Sequence, residues 1–358
     1  MANRNGNDAA SLFTAARGRD RAALARLISL VERGGAPSRD VAREAYRTPG
    51  VAYTVGITGA PGAGKSTLTD RLIAAGRVRG LTGSAGDGAG GGEGNIPVGD
   101  PGGGGDGGGD GAGGEGFAIG VLAIDPSSPY SGGAILGDRV RMQNHALDDG
   151  VYIRSMATRG HLGGLAVAVP DAVRVLSAVG LDVVLVETVG VGQQELEVAS
   201  ATDTTVVVVN PGWGDSIQAN KAGLMEIADL FVINKADRPN AAETRRDLEL
   251  MLDLTTLGDW RPPIVETVAS TGAGTDELWS AVNDHRSFLE ERGLLAVRRR
   301  QRLERELQQI VMAEVGHRIG QAEQGGGYAE LTGALADGSI DPYEAADRLL
   351  DRIIGPGA

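Results

Sequence analysis

The sequence predicts an α/β fold: a mostly parallel central sheet flanked by helices, with helical extensions at both ends. From residue 51 onward, apolar runs of strand length alternate with helical stretches; the runs span 51–58, 117–125, 151–156, 183–187, 205–210, 230–234 and 264–268. Most are nearly continuous in Val, Ile, Leu and Ala, which is how strands buried on both faces read. Alternation of such strands with helices implies a parallel sheet covered on both sides.

Ahead of the sheet, residues 7–48 read as helices, with Leu24, Leu27, Ile28 and Val31 at helical spacing and Arg26 and Ser29 between them. Pro37, followed by Ser38, Arg39 and Asp40, restarts the chain in a second helix. Residues 1–50 are therefore expected to form an N-terminal helical extension, 51–290 the sheet domain, and 291–358 a C-terminal helical region. Within the sheet domain, residues 82–116 are mostly Gly with a few Asp and Glu. Such a composition buries too little apolar surface to offset its ordering entropy, so a disordered insertion is expected between the first helix and the second strand. Loop closure costs little more as a loop lengthens, so the fold can accommodate it. After Gly293 a long charged helix carries an apolar stripe of Leu303, Leu307, Ile310, Val311 and Val315. That stripe needs a partner surface, either its own domain or a second copy of the chain. Shorter helices are expected near 329–335 and 342–354.

Composition narrows the function classes. Of 358 residues, 41% are hydrophobic but only 4% aromatic, so a sizeable core must be built from aliphatic side chains. A formal net charge of -13 argues against nucleic acid or an anionic membrane as partner. The absence of cysteine excludes disulfides, thiolate metal sites and cysteine nucleophiles. His145, His161, His285 and His317 are scattered without ligand spacing, so no zinc or nickel site is expected. No apolar run approaches the roughly 20 residues of a membrane span, and the polar start lacks a leader-like segment; a cytoplasmic location is expected.

Gly59-Ala60-Pro61-Gly62-Ala63-Gly64-Lys65-Ser66, followed by Thr67, matches G-x-x-x-x-G-K-[ST] between an apolar strand and a helix. Glycines there let successive backbone N–H groups turn inward as a nest for the β-phosphate, and the helix N-terminus adds partial positive charge. Lys65 is expected to bridge the β- and γ-phosphates and the Ser66 hydroxyl to ligate Mg²⁺. Asn234-Lys235-Ala236-Asp237 ends a later strand and reads as a guanine-specificity motif. Asp237 would accept from the guanine N1–H and exocyclic amine, a pair of donors that adenine does not offer. The Lys235 stem would lie over the base, Asn234 would tie this turn to the phosphate loop, and Ala269-Ser270-Thr271-Gly272 would supply a second base loop. Nucleotide-binding candidates are therefore residues 59–67 with Gly190, Asn234, Lys235, Asp237, Ser270 and Thr271, and GTP or GDP with Mg²⁺ is the expected ligand.

Carboxylates at strand ends facing the phosphate loop are the metal candidates: Asp125, Glu187 in Glu187-Thr188-Val189-Gly190, and Asp138 in Gly137-Asp138-Arg139. Asp138 could sit on Mg²⁺, position the attacking water or cap a helix. Gln193 and Gln194 could orient the water or lie on the next helix. Lys65, Asp138 and Glu187 form the expected catalytic set. Arg298–Arg300 reads as a solvated helix face, and Trp213 fits either a partner contact or packing in its own domain.

Several longer segments resemble the MeaB/ArgK/MMAA family of methylmalonyl-CoA mutase-associated GTPases, within the SIMIBI class of P-loop proteins. They are Asp125-Pro126-Ser127-Ser128, the run 132–139, the run Ser155 to Gly164, Glu187 to Gln193, and Pro211-Gly212-Trp213-Gly214-Asp215. The resemblance spans roughly residues 20–320, and the glycine-rich insertion departs from it. It implies a homodimer joined largely through C-terminal helices, acting as a slow GTPase switch or chaperone for an adenosylcobalamin-dependent acyl-CoA mutase. The family's Mg²⁺ and catalytic acids correspond to Asp125, Asp138 and Glu187. A third switch loop at Pro211–Lys221, with Gly212, Trp213, Asp215 and Lys221, would communicate with the mutase. Other expectations compatible with such a sequence are a protein kinase linked to an arginine/ornithine transport system, or a nickel/cobalt metallochaperone.

Overall fold

The computed structural model describes residues 8–48, 50–81, 117–126, 143–145, 147–158, 164–188, 194–212, 223, 225–255, 258–323 and 326–354. The glycine-rich stretch at 82–116 lies outside these.

Three helices come first: α1 (Ala9–Arg17), α2 (Arg21–Arg33) and α3 (Gly35–Arg47). The sequence reading distinguished two. The additional break falls at Gly18 and Arg19, the latter in the left-handed region at φ 67°. Asp20 then caps α2, its carboxylate accepting from the N–H groups of Ala22 and Ala23 at 2.8 and 3.1 Å. Pro37 lies in the first turn of α3, where a missing N–H costs nothing.

Strands and helices then alternate: β1 (Tyr53–Gly59), α4 (Lys65–Arg79), β2 (Ile119–Pro126), β3 (Val151–Thr158), α5 (Gly164–Ala178), β4 (Val183–Thr188), α6 (Gln194–Ala201), β5 (Thr204–Val209), β6 (Leu230–Asn234), α7 (Ala241–Leu254), β7 (Ile264–Thr267) and α8 (Thr275–Glu291). The seven strands form one sheet in the order β3-β2-β4-β1-β5-β6-β7, and every pairing is parallel. All carboxyl ends therefore meet at one edge. β1 lies where the chain's path reverses, with β2 and β3 on one side and β5 to β7 on the other, which is where ligands bind in open α/β sheets.

Both faces are buried, which explains the continuous apolar runs. Along β4, Val183 and Leu185 join a core with Leu68 and Leu72 of α4, Leu248 of α7 and Trp279 of α8. Val184 and Val186 face the opposite core, with Val175 and Leu176 of α5, Val198 of α6, and Phe13, Leu27 and Val41 from α1 to α3. The N-terminal helices thus form a further layer. Arg154 of β3 fastens α2 to the sheet by donating to Glu32 Oε2 at 2.7 Å and Ser29 Oγ at 2.9 Å.

Beyond the sheet, α9 (Leu294–Glu323), α10 (Gly326–Ala336) and α11 (Pro342–Ile354) complete the chain. Arg298 and Arg299 do more than solvate a helix face. Arg298 pairs with Asp229 at 3.0 Å, while Arg299 and Arg302 pair with Asp203 at 2.7 and 2.9 Å. Only Arg300 of the expected run stays in solvent, beside Glu304. Asp203 and Asp229 are buried at the amino-terminal edge of β5 and β6, so α9 is moored at the end of the sheet opposite the phosphate loop. Burial alone would push both carboxyls up; the Arg299 and Arg302 guanidiniums hold Asp203, and His285 with Arg298 hold Asp229, below the usual carboxylate range.

A second buried cluster joins α9 to α5. Arg174 bonds Asp171 at 2.7 Å and both oxygens of Glu306 at 2.8 and 2.9 Å. Burial pushes the Asp171 carboxyl up to about 6, with Arg174 opposing and the Glu306 charge adding to the rise. A carboxyl near 4 when unfolded and about 6 when folded binds more protons in the native state between those values, so its contribution to stability falls as pH rises through that window. Asp171→Asn should therefore be more stable than the parent at pH 8, by up to about 3 kcal/mol, and the gap should narrow toward pH 5.5. Urea unfolding across that range checks it; a variant weaker than the parent at pH 8 would show that the ionised pair is net stabilising.

Candidate nucleotide site

The phosphate loop is built by glycines at two tight approaches. Gly59 has φ 127°, and a Cβ there would stand 2.0 Å from the Val208 carbonyl oxygen of β5. Gly64, at φ 90°, would put a Cβ 2.5 Å from Asn234 Nδ2. Any side chain at either position displaces backbone or the asparagine, which is why the loop can hug the sheet edge only with glycine. α4 starts immediately after Gly64, so its unsatisfied N–H groups open onto the loop. Lys65 is 5% exposed; its Nζ donates to the carbonyls of Gly59 at 2.8 Å and Ala60 at 3.0 Å, arching back over the loop.

Beside it, Ser66 Oγ donates to Glu187 Oε1 at 2.6 Å, and both residues are buried. Glu187 belongs to β4, the neighbour of β1, in register with Ile57. Two residues each expected to serve the metal, the loop serine and the fourth-strand carboxylate, are thus in direct contact with one another. Two hard oxygen donors, one of them charged, at the positive end of α4 are a donor set suited to Mg²⁺. Asp125 lies in β2 opposite Ala157 of β3; its side chain, like Asp138, Gly190 and Gln193, lies outside the described residues.

On the other side of β1, Asn234 ends β6 and is 2% exposed. Its Nδ2 donates to the Ala63 carbonyl at 2.7 Å, while Oδ1 accepts from the Ala269 N–H at 3.1 Å and the Thr267 hydroxyl at 3.2 Å. One amide therefore binds the phosphate loop and the loop after β7 together. Lys235, held at φ 61°, stretches across the mouth so that Nζ donates to the Gly62 carbonyl at 2.6 Å. Asp237, Ser270 and Thr271 are exposed, as is Thr67 on α4. Gly212 follows β5, with its N–H on Thr244 Oγ1 at 3.3 Å. Trp213, Asp215 and Lys221, with Arg159 and His161, lie outside the described residues.

Two participants were not anticipated from sequence. Thr267 anchors the Asn234 carbonyl oxygen. Arg71, on α4, donates to the carbonyls of Ala269 and Ser270. Neither has a sequence signature, since each bond joins residues far apart in the chain. Of the scattered histidines, His285 is fully buried between Thr204 Oγ1 at 2.8 Å and Asp229 at 3.2 Å, and His145 faces Asp70.

Fold and loop geometry together place the chain among the P-loop GTPases. A model of the family described as methylmalonyl Co-A mutase-associated GTPase MeaB matches residues 24–84 and 112–324, and the chain belongs to that family. It is 48% identical over 343 residues to a Pyrococcus abyssi protein named as a GTPase, covering 94% of each chain. It is 35% identical over 300 residues to the GTPase ArgK of Escherichia coli, covering 80% of this chain and 78% of that one. A crystal structure described as an LAO/AO transport system kinase superposes with a TM-score of 0.65 at 27% identity, over 98% of this chain and 99% of that one.

If Asn234 holds the two loops, Asn234→Ala removes three hydrogen bonds and strands the Ala63 carbonyl and the Ala269 N–H. The ligand-free variant should lose about 2–4 kcal/mol of stability, measured by urea unfolding. An unchanged midpoint would mean that the loops are held by other contacts.

Proposed function

We propose that this GTPase acts as a switch and chaperone for an adenosylcobalamin-dependent acyl-CoA mutase, with methylmalonyl-CoA mutase the first choice, gating cofactor loading and protecting the mutase. The observation carrying the partner assignment is the match to a mutase-associated GTPase family across most of the chain. The site supports a switch because Glu187 at the end of β4 touches the phosphate loop through Ser66. A change at the phosphates can therefore reach the segment that follows β4.

In this reading the nest of residues 59–67 cradles the β-phosphate. Lys65 leaves the Gly59 and Ala60 carbonyls to bridge the β- and γ-phosphates, and Gly190 meets the γ-phosphate. Ser66 and Glu187, with Asp125 and Asp138, would hold Mg²⁺. Bound there, Mg²⁺ would neutralise charge on the phosphate oxygens. Water attacks the γ-phosphorus, the bond to the bridging β–γ oxygen breaks, and GDP and phosphate leave. Lys65 stabilises the charge that develops on the leaving oxygen. Asp138 and Glu187 orient the water and its surroundings. Asp237 reads guanine, with Lys235 along the base and Ser270 and Thr271 closing over it. The loop of Gly212, Trp213, Asp215 and Lys221 would carry the message to the mutase.

We further assign a homodimer and a cytoplasmic location. The α9 stripe supports the former: Leu303, Leu307, Ile310 and Val311 are 43–62% exposed, so in the single chain their apolar faces lie open. None of the described helices is long and apolar enough to cross a membrane. The crystal structure described as a transport-system kinase favours a second reading, phosphoryl transfer to a protein of an arginine/ornithine transport system. The two differ in where the γ-phosphate goes.

Asp237→Asn should move preference from GTP toward xanthosine triphosphate, because the amide can donate to the 2-oxo group that replaces the guanine amine. Competition binding reads this, and undiminished GTP preference counts against the base assignment. Purified acyl-CoA mutase should bind the chain and raise its GTP hydrolysis at least several-fold. Failure with every such mutase of the source organism, together with transfer of labelled γ-phosphate to a solute-binding protein, would favour the kinase reading.

A further inference from the structure

We propose that Arg71 is a positioning residue for base selection: from the helix that carries the phosphate loop, it fixes the backbone of the Ala269–Ser270 loop against which the purine edge is read. The inference rests on the guanine assignment above and adds a residue that the recognised motifs do not contain.

Arg71 lies on α4, six positions after Lys65. Its Nε donates to the Ala269 carbonyl at 3.0 Å and one terminal nitrogen donates to the Ser270 carbonyl at 3.1 Å. Two consecutive carbonyls are thus taken by two donors of one rigid planar group, a match that a guanidinium offers and an ammonium cannot. Among the described residues Arg71 forms no ion pair with a carboxylate, so its charge is directed at these dipoles. The loop needs such a hold. Ser270 and Thr271 are exposed; within the turn the N–H groups of Thr271 and Gly272 meet the Val268 carbonyl at 3.0 and 2.9 Å, the Val268 N–H meets the Ala273 carbonyl at 2.9 Å, and the Thr271 hydroxyl donates to the Val268 carbonyl, while Asn234 accepts from the Ala269 N–H. Asn234 and Arg71 therefore grip one peptide segment through opposite groups, the N–H and the C=O.

That grip has a chemical consequence. Each bonded carbonyl belongs to a peptide unit whose N–H is that of the next residue. A cation on the Ala269 oxygen polarises the Ser270 N–H, whereas the Thr271 N–H, beyond the Ser270 oxygen, is already engaged by the Val268 carbonyl inside the turn. The loop is therefore held, and its Ser270 N–H becomes a stronger donor to a base seated against it. A 6-oxo purine presents an acceptor to such donors; a 6-amino purine presents a donor and gains nothing. Arg71 should accordingly sharpen discrimination between guanine or hypoxanthine and adenine, without bearing on the 2-amino group that Asp237 reads.

The test is equilibrium binding of GDP, IDP and ADP to the full chain carrying Arg71→Ala, Arg71→Gln or Arg71→Lys, with urea unfolding of each ligand-free variant as a control. Arg71→Ala and Arg71→Gln should weaken GDP and IDP alike by about ten-fold, the scale of one lost charge-assisted hydrogen bond. ADP should change by less than about two-fold, so the GDP-to-ADP ratio contracts. Arg71→Lys, able to reach one carbonyl, should fall between. Equal losses for all three nucleotides would make Arg71 a support of the phosphate loop and overturn the proposal, as would undiminished GDP binding in folded variants. If the parent chain itself fails to prefer GDP over ADP, the guanine assignment fails first and takes this inference with it.

Discussion

The site depends on one side-chain amide. Asn234 stands at the end of β6 with no room around it, and its two polar ends face two loops far apart in sequence. Donating to Ala63 and accepting from Ala269, it joins the phosphate loop and the loop after β7 into one mouth. The closeness of Gly64 to Nδ2 shows how little slack exists: a single methyl group there would collide with the amide. A ligand with a polyanionic end and a flat aromatic end requires its two subsites at a fixed separation. Here that separation is set by a hydrogen-bonded bridge between neighbouring strand ends rather than by loop stiffness.

The rest of the fold keeps that mouth from shifting. Besides the Asp171–Arg174–Glu306 cluster between α5 and α9, buried charged and amide groups gather at the two edges of the sheet. At the carboxyl edge lie Ser66, Glu187 and Asn234; at the amino edge lie Asp203 and Asp229, gripped by arginines of α9. β1 runs between the two, from Tyr53, whose hydroxyl meets Thr204, to Gly59 in the phosphate loop. Removing α9 would leave two buried carboxylates short of their cations, an outcome costlier than never having buried them. Helix α9 is thus part of the sheet domain's own stability, whatever else its exposed apolar stripe engages.

How much of this could be read from sequence follows from the range of each interaction. Strands buried on both faces announce themselves, because every position must be apolar; the runs at 183–187 and 230–234 needed no other clue. The phosphate loop and the N-K-x-D turn are equally legible, since contiguous residues carry the geometry. Long-range pairings are not. Arg298, Arg299 and Arg302 look like any charged helix until Asp203 and Asp229, which lie 69 to 99 residues earlier in the chain, are found beneath them. Asp171 gives no hint that Glu306 will crowd it. The break between α1 and α2 at Gly18 and Arg19 was hidden because apolar periodicity continues on either side of it.

There remains the question of how so acidic a molecule would attract a triphosphate. The formal charge of -13 would repel a polyanion if it acted as a whole. It does not, because charges separated by more than about 8 Å of physiological saline are largely screened. Within that radius of the phosphate loop the balance is different: Lys65 is buried against the loop, the ammonium of Lys235 lies on Gly62, and the N-terminus of α4 points its unsatisfied N–H groups outward. Among the nearby carboxylates, Glu187 is turned toward the Ser66 hydroxyl rather than toward open solvent, where a divalent cation would convert it from a repulsive charge into a ligand. Local fields in a desolvated cleft outweigh a distant, screened surface, so net charge bears on which macromolecules approach this protein and says little about which small anion its loop is shaped to hold.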